Sequence, residues 1–157
     1  MTRILFFTFI FSILMSFTQF GNKDILTELQ MKFIKEKYNW KSEEILIINF
    51  LQPKENCFYN NNENPKSSIK WWKKFYSNIN LNNVSNIYVY SDKISAKNII
   101  DSKTRFEDYN NFLLNNIFNI KKECFGVLVV NNLGEYEVVE GEYSQKQVET
   151  LIKKLKR

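Results

Sequence analysis

The sequence predicts an α/β fold, a three-layer sandwich in which a mixed central sheet of about four strands is flanked by helices. Three short segments, residues 45–51, 86–90 and 124–130, are rich in apolar residues on both faces. Strands that are covered on both sides have this composition. Segments with apolar residues at helical spacing separate them, which favours helical crossovers packed against the sheet.

Four helices are predicted from the spacing of their apolar residues. They span residues 24–39, a segment that follows Pro65, residues 105–119, and a last segment that begins at Ser144. Proline is favoured in the first turn of a helix, and serine is favoured as the capping residue before it.

A β-hairpin is predicted before the last helix. The turn at residues 131–134 ends in glycine and joins the strand at 124–130 to a second strand at 135–141. The acids Glu135, Glu137, Glu140 and Glu142 are interpreted as the charged solvent face of an edge strand. The predicted order is α-β-α-β-α-β-β-α.

The N-terminal segment has the pattern of a secretory signal peptide over residues 1–18. Arg3 precedes an apolar run from Ile4 to Met15, and small polar residues follow, with cleavage expected near Thr18. The alternative is an uncleaved anchor, although the run is shorter than the roughly 20 residues that span a bilayer. We therefore expect a single mature domain at 19–157, periplasmic or secreted, with no membrane contact after cleavage.

Composition restricts the possible chemistry. The chain has 157 residues, 44% of them hydrophobic and 25% charged, with no histidine and two cysteines. The absence of histidine excludes Ser-His-Asp and Cys-His nucleophiles and histidine-based metal sites. Two thiols cannot form a cysteine-only zinc site. The sequence therefore predicts neither a metal nor a cofactor, and leaves carboxylate chemistry, thiol chemistry or no chemistry.

The positive charge does not indicate a nucleic-acid partner. The chain carries 22 Lys and Arg against 17 Asp and Glu, a net charge of +5. Its arginines are restricted to Arg3, Arg105 and Arg157, whereas nucleic-acid-binding proteins favour clustered arginines. Short lysine runs such as Lys73-Lys74 are interpreted as solvated helix surface.

Three segments resemble the thioredoxin superfamily, and in particular exported thioredoxin-like and redoxin proteins. ILIINFLQPKENCFYN resembles the strand that leads into the redox loop, and NIYVYSD resembles the next parallel strand. CFGVLVVNNLGEYEVVEG, followed by a helix, resembles the closing strand, the glycine turn and the hairpin strand. The resemblance covers roughly residues 25–155 and implies a thioredoxin-like sandwich.

The sequence departs from this family at two positions. The family's Cys-x-x-Cys motif corresponds here to Cys57-Phe58-Tyr59-Asn60, so Asn60 occupies the resolving position. The family's cis-proline corresponds to a position at or near Phe125, where no proline is present. The motif is therefore degenerate, and an ordinary dithiol reductase or isomerase is not expected.

The resemblance implies a role for the two cysteines and leaves three possibilities open. Cys57 would precede a helix, whose N-terminus favours the thiolate. Cys124 falls beside the missing proline, which in this fold abuts the redox loop. In the first, the two residues form a disulfide, which is either structural or a redox pair in which Cys124 resolves Cys57. In the second, Cys57 acts as a lone redox site. In the third, both thiols are inert.

Two functions follow as hypotheses. The first is thiol–disulfide or peroxide-linked redox activity centred on Cys57, with a protein or peptide thiol or disulfide as partner. The second is a catalytically degenerate module that binds a protein or peptide beside the Cys57 loop, so enzyme activity stays open. The residues expected to form the contact surface in either case are Phe58, Tyr59, Asn60, Trp71, Trp72 and Phe125, with one tryptophan in the core and the other exposed.

Overall fold

A computed structural model describes residues 24–52, 65–118 and 124–156, and it contains a six-stranded mixed sheet. The predicted signal peptide lies outside these residues. The strands are β1 (Asp24–Ile25), β2 (Ile45–Leu51), β3 (Val84–Tyr90), β4 (Arg105–Glu107), β5 (Phe125–Asn131) and β6 (Glu135–Glu140). The helices are α1 (Glu28–Lys37), α2 (Pro65–Tyr76), α3 (Phe112–Asn116) and α4 (Gln145–Leu155).

Strand β2 lies at the centre of the sheet, whose order is β1-β6-β5-β2-β3-β4. It pairs with β3 in parallel and with β5 in antiparallel register along its whole length. All seven of its residues are buried. A strand paired on both edges and covered on both faces satisfies its backbone within the sheet, which is why its side chains are almost all apolar.

Two hydrophobic cores lie on opposite faces of the sheet. The core under α1 and α3 includes Ile34, Phe50 and Leu113, whereas the core under α2 and α4 includes Trp72 and Ile152. Alternate residues of β2 enter alternate cores, as the pleat of a strand requires. The predicted α/β class is confirmed, and the arrangement is the three-layer sandwich that the thioredoxin resemblance implies.

The hairpin and the last helix form as predicted. In the turn, Asn131 Oδ1 accepts hydrogen bonds from the backbone N–H groups of Leu133 and Glu135. Gly134 adopts a φ of 86°, a conformation that favours glycine. Ser144 caps α4 through a reciprocal capping box with Gln147.

The predicted helix at 105–119 is wrong over its first half. Residues 105–107 form β4, which pairs in parallel with the last three residues of β3. Asp108 then ends the strand. Its backbone N–H donates to Tyr90 O at 2.8 Å, and its carboxylate accepts from the N–H groups of Leu113 and Leu114 at the start of α3. A side chain that satisfies these N–H groups fixes where the helix begins.

The sheet also has two more strands than the four predicted, because short strands β1 and β4 extend its two edges. Strand β1 pairs with β6, so β6 is not an edge strand. The expectation of a wholly solvated acidic face is consequently wrong for Glu135, which is buried and accepts a hydrogen bond from Asn131 Nδ2.

Within the described ranges, no helix is both long and apolar enough to cross a membrane.

The close approach of Gly126 to its neighbours gives a first prediction. A Cβ at this position would lie 2.8 Å from the carbonyl oxygen of Val139 and 2.9 Å from the ring of Phe118. We expect Gly126→Ala to lower the free energy of unfolding by about 1–3 kcal/mol, measured by urea denaturation. Because Phe118→Leu would relieve the ring contact, the double variant should lose less than the sum of the two single variants. Wild-type stability for Gly126→Ala would contradict this packing.

Candidate active site at the carboxyl edge of the sheet

The ends of three central strands meet at one edge of the sheet. Leu51, the last residue of β2, is paired with Tyr90 at the end of β3 and with Phe125 at the start of β5. Parallel β2 and β3 therefore end where antiparallel β5 begins. In open α/β sheets the carboxyl ends of the strands are the usual position of a site.

Cys124 lies at this edge, immediately before β5. Its carbonyl oxygen accepts a hydrogen bond from the backbone N–H of Gln52 at 2.8 Å, so it is adjacent to the residue that follows β2. The residue is partly exposed. No cysteine in the described part of the chain carries a free thiol, and Cys124 is disulfide-bonded.

Four of the predicted site residues, Cys57, Phe58, Tyr59 and Asn60, lie outside the described residues. Phe125 is described and lies beside Cys124, with partial exposure. Its carbonyl oxygen accepts from the N–H of Gly141 at 2.8 Å, which attaches the segment after β6 to the same edge.

The two adjacent tryptophans on α2 separate as predicted, with one in the core and the other exposed. Trp72 is 5% exposed, and its ring contacts Tyr76, Tyr88 and Tyr143. Its Nε1 has no hydrogen-bond partner among the residues that the structure describes. Trp71 is 54% exposed and stacks on Phe75, with ring centroids 5.3 Å apart.

A buried polar network lies beneath this aromatic cluster and was not predicted from the sequence. Its centre is Asn49, which is fully buried in β2. Asn49 Nδ2 donates to Asn86 Oδ1 at 2.7 Å and to Ile87 O at 2.8 Å. Asn49 Oδ1 accepts from the hydroxyl groups of Tyr76 and Tyr143. The sequence feature that indicates such a network is an asparagine within a strand that is otherwise apolar on both faces, because a buried amide must find hydrogen-bond partners.

The phenols of this cluster stay protonated well above neutral pH. Burial raises the pKa of Tyr76 and of Tyr143, and Tyr88 adds to the increase for both. The hydrogen bonds with Asn49 and Tyr143 oppose the increase in the pKa of Tyr76. Burial also raises the pKa of Tyr88 to about 12, against opposing contributions from Asn86 and Arg105. At neutral pH the network is therefore uncharged.

The described residues contain no group of three or more Cys, Asp or Glu side chains arranged to hold a metal ion. At this edge lie Cys124 and Phe125, which is hydrogen-bonded to Gly141. Two residues after Gly141, Tyr143 is in perpendicular contact with Phe75 at 5.8 Å between centroids, and Phe75 stacks on the exposed ring of Trp71.

Removing the Asn49 amide should destabilise the protein. Asn49→Leu keeps the branched shape and the number of heavy atoms of the side chain but leaves two phenol hydroxyl groups without their acceptor. We expect a loss of about 2–4 kcal/mol in urea denaturation. The control, Tyr143→Phe, should cost about 1 kcal/mol because Tyr76 still donates to Asn49. An Asn49→Leu variant as stable as the wild type would show that the network contributes nothing.

The raised phenol pKa values predict a loss of stability in alkali. An ordinary tyrosine in the unfolded chain ionises near 10, whereas folded Tyr88 ionises at about 12. Between these two values the folded state binds more protons than the unfolded state. The contribution of Tyr88 to stability is therefore fully present below pH 10 and is lost as the pH rises. Tyr88 contributes about 2 kcal/mol of this loss by pH 12.

Urea denaturation at a series of alkaline pH values, with tyrosinate absorbance as the second readout, measures the effect. Tyr88→Phe is the matched control, because removing the phenol removes its share of the pH dependence. Tyrosinate absorbance that rises fully near pH 10 while the protein stays folded would contradict the burial of these rings.

Comparison with known proteins gives likeness to solved structures alone. No family model matches the sequence, and no curated protein matches it. A solved structure described as that of MTB dsbF in its mixed oxidized and reduced forms is similar to this chain, with 13% sequence identity and a TM-score of 0.45. The likeness covers 73% of this chain and 83% of that one.

Proposed function

We propose that this chain is an exported thioredoxin-like protein that exchanges a Cys57–Cys124 disulfide with a protein or peptide dithiol. The observation that carries the proposal is the position of Cys124. It is disulfide-bonded at the edge where β2 ends and β5 begins. The sequence contains two cysteines, so Cys57 is the partner that the chain itself can supply.

The length of the loop is compatible with this pairing. Cys57 follows Gln52 by five positions, and five extended residues reach at most about 17 Å. Gln52 is hydrogen-bonded to Cys124 through the backbone, which places the two residues side by side. A disulfide needs Cα atoms about 4.4–6.8 Å apart, so Cys57 has ample chain to approach Cys124.

The exchange proceeds through a mixed disulfide. A thiolate of the partner dithiol attacks one sulfur of the Cys57–Cys124 bond, forms a new S–S bond to it and releases the other sulfur as a thiolate. The second partner thiol, deprotonated, then displaces the attached cysteine. The partner loses two electrons and becomes a disulfide, while Cys57 and Cys124 gain those electrons and take up two protons. The partial exposure of Cys124 gives an incoming thiolate access to this edge.

Export accounts for the stability of such a bond. Disulfides persist in the periplasm and outside the cell, and are rare in the reducing cytosol. The signal-like pattern of residues 1–18 and a disulfide on Cys124 therefore support the same compartment.

Peptide binding without redox chemistry is the second candidate function. The exposure of Trp71 favours it, because large aromatic rings at the surface are typical of contact sites. In that case the disulfide would be a structural crosslink that no partner reduces.

Reduction under native conditions distinguishes the two functions. We expect the untreated protein to take up no alkylating reagent, and the folded protein to take up two equivalents after brief treatment with dithiothreitol, as measured by intact mass. Cys124→Ser should leave Cys57 as the one thiol of the chain, so this variant should take up one equivalent of reagent without any reduction.

Reduction in denaturant, carried out in parallel, is the control, because it shows that both sulfurs react with the reagents once the protein is unfolded. If the disulfide is reduced in denaturant and resists dithiothreitol in the folded protein, it is a structural crosslink and the exchange function is wrong. Alkylation of both cysteines before any reduction would show that they form no disulfide, and the proposal would be wrong.

A further inference from the structure

The outer face of α2 carries a concentrated positive charge. Successive residues of an α-helix are about 100° apart, so the buried residues Ser68, Trp72 and Tyr76 define its inner side. Four exposed lysines lie within an arc of about 100° on the opposite side. We call these the lysine face: Lys66, Lys70, Lys73 and Lys74.

Among the described residues, no acid is paired with the lysine face. Helix α2 contains neither Asp nor Glu. The ion pairs between described residues involve lysines and arginines of other segments. Like charges one turn apart on a helix destabilise it slightly. Lys73 and Lys74 lie in the last turn, where a cation complements the helix dipole, so the charges that helix stability leaves unexplained are those of Lys66 and Lys70.

An exposed aromatic surface borders this charge. Trp71 lies on the shoulder of α2 beside Lys74, and its ring stacks on Phe75. Phe75 contacts Tyr143, and the backbone of Gly141, two residues earlier, is hydrogen-bonded to Phe125 next to Cys124. These contacts therefore link the exposed indole beside the lysine face to the segment that is hydrogen-bonded to Phe125.

We propose that the lysine face and Trp71 form a docking site for an acidic peptide segment that carries an aromatic or long aliphatic side chain. The carboxylates would lie along the four lysines, and the apolar side chain would pack on Trp71 and Phe75. Opposite charge raises the rate of encounter and fixes the orientation of the partner, whereas the exposed indole supplies contact area. The inference rests on the proposed function, because it names the class of partner whose thiols would reach the disulfide.

Peptide binding can be measured independently of redox chemistry. The probes are two short peptides without cysteine, one with Glu residues flanking Leu and Ser, the other with Lys replacing each Glu. By isothermal titration calorimetry we expect the acidic peptide to bind, the basic peptide not to bind, and added salt to weaken the complex as the charges are screened.

Variants of the docking site define the surface. Lys70→Glu/Lys74→Glu should weaken binding of the acidic peptide at least tenfold. Trp71→Ala should weaken it without changing its salt dependence. The matched control is Lys32→Glu/Lys41→Glu, which makes the same change of charge at exposed positions away from α2 and should leave the affinity unaltered.

Equal affinity for the two peptides, no binding of the acidic peptide, or an unchanged affinity in Lys70→Glu/Lys74→Glu would each overturn the proposal. Co-sedimentation with vesicles of phosphatidylserine and phosphatidylcholine that is lost in Lys70→Glu/Lys74→Glu, with no binding of the acidic peptide, would assign the surface to a membrane instead. The reduction experiment with dithiothreitol reports on the disulfide separately, so failure of the docking site and failure of the exchange function remain distinguishable.

Discussion

The pairing of β2 on both edges is the constraint on which the rest of the structure depends. Seven consecutive buried residues are in register with β3 on one side and with β5 on the other. This pairing separates the two hydrophobic cores, because alternate side chains must enter opposite faces. It also sets the position of the candidate site, since the residue after β2 can only continue beside the start of β5. A slip of one residue would exchange the two faces of β2 and place Asn49 among the apolar side chains of the other core.

The sequence was sufficient to predict the central strands, the hairpin and the Ser144 cap of α4. These features depend on local patterns, such as a short run of apolar residues or a serine before a helix, whose physical meaning is the same in every fold. The segment at 105–119 shows where this reasoning fails. Its aromatic residues fit a helical stripe, yet Phe106 lies in a strand because pairing with β3 satisfies its backbone. The carboxylate of Asp108 then starts the helix later. When the side chains of a segment are compatible with either a helix or a strand, pairing with a neighbouring strand decides which of the two forms.

The candidate site was predictable in part. Cys124 and Phe125 were proposed from the family resemblance, and helical geometry predicted that one of Trp71 and Trp72 is buried and the other exposed, which the structure confirms. The partners of Asn49 were not predictable, because Tyr76 and Tyr143 are 27 and 94 residues away in the sequence. Contacts of this range depend on how the helices pack, which one sequence does not specify. The burial of Glu135 has the same origin, since it requires β1 to cover β6.

The hydrogen bonds of Asn49 also have a mechanical consequence. The amide oxygen accepts one hydrogen bond from a hydroxyl of α2 and a second from a hydroxyl of the segment that leads into α4, while the amide nitrogen donates to a carbonyl oxygen of β3. Helix α2 follows the segment that contains Cys57, and the Tyr143 segment is tied to the strand that follows Cys124. A shift of α2 relative to β2 would therefore lengthen a bond to the same atom that Tyr143 uses. Helix α2 and the segment that leads into α4 are thereby held to a single oxygen atom in the middle of the sheet.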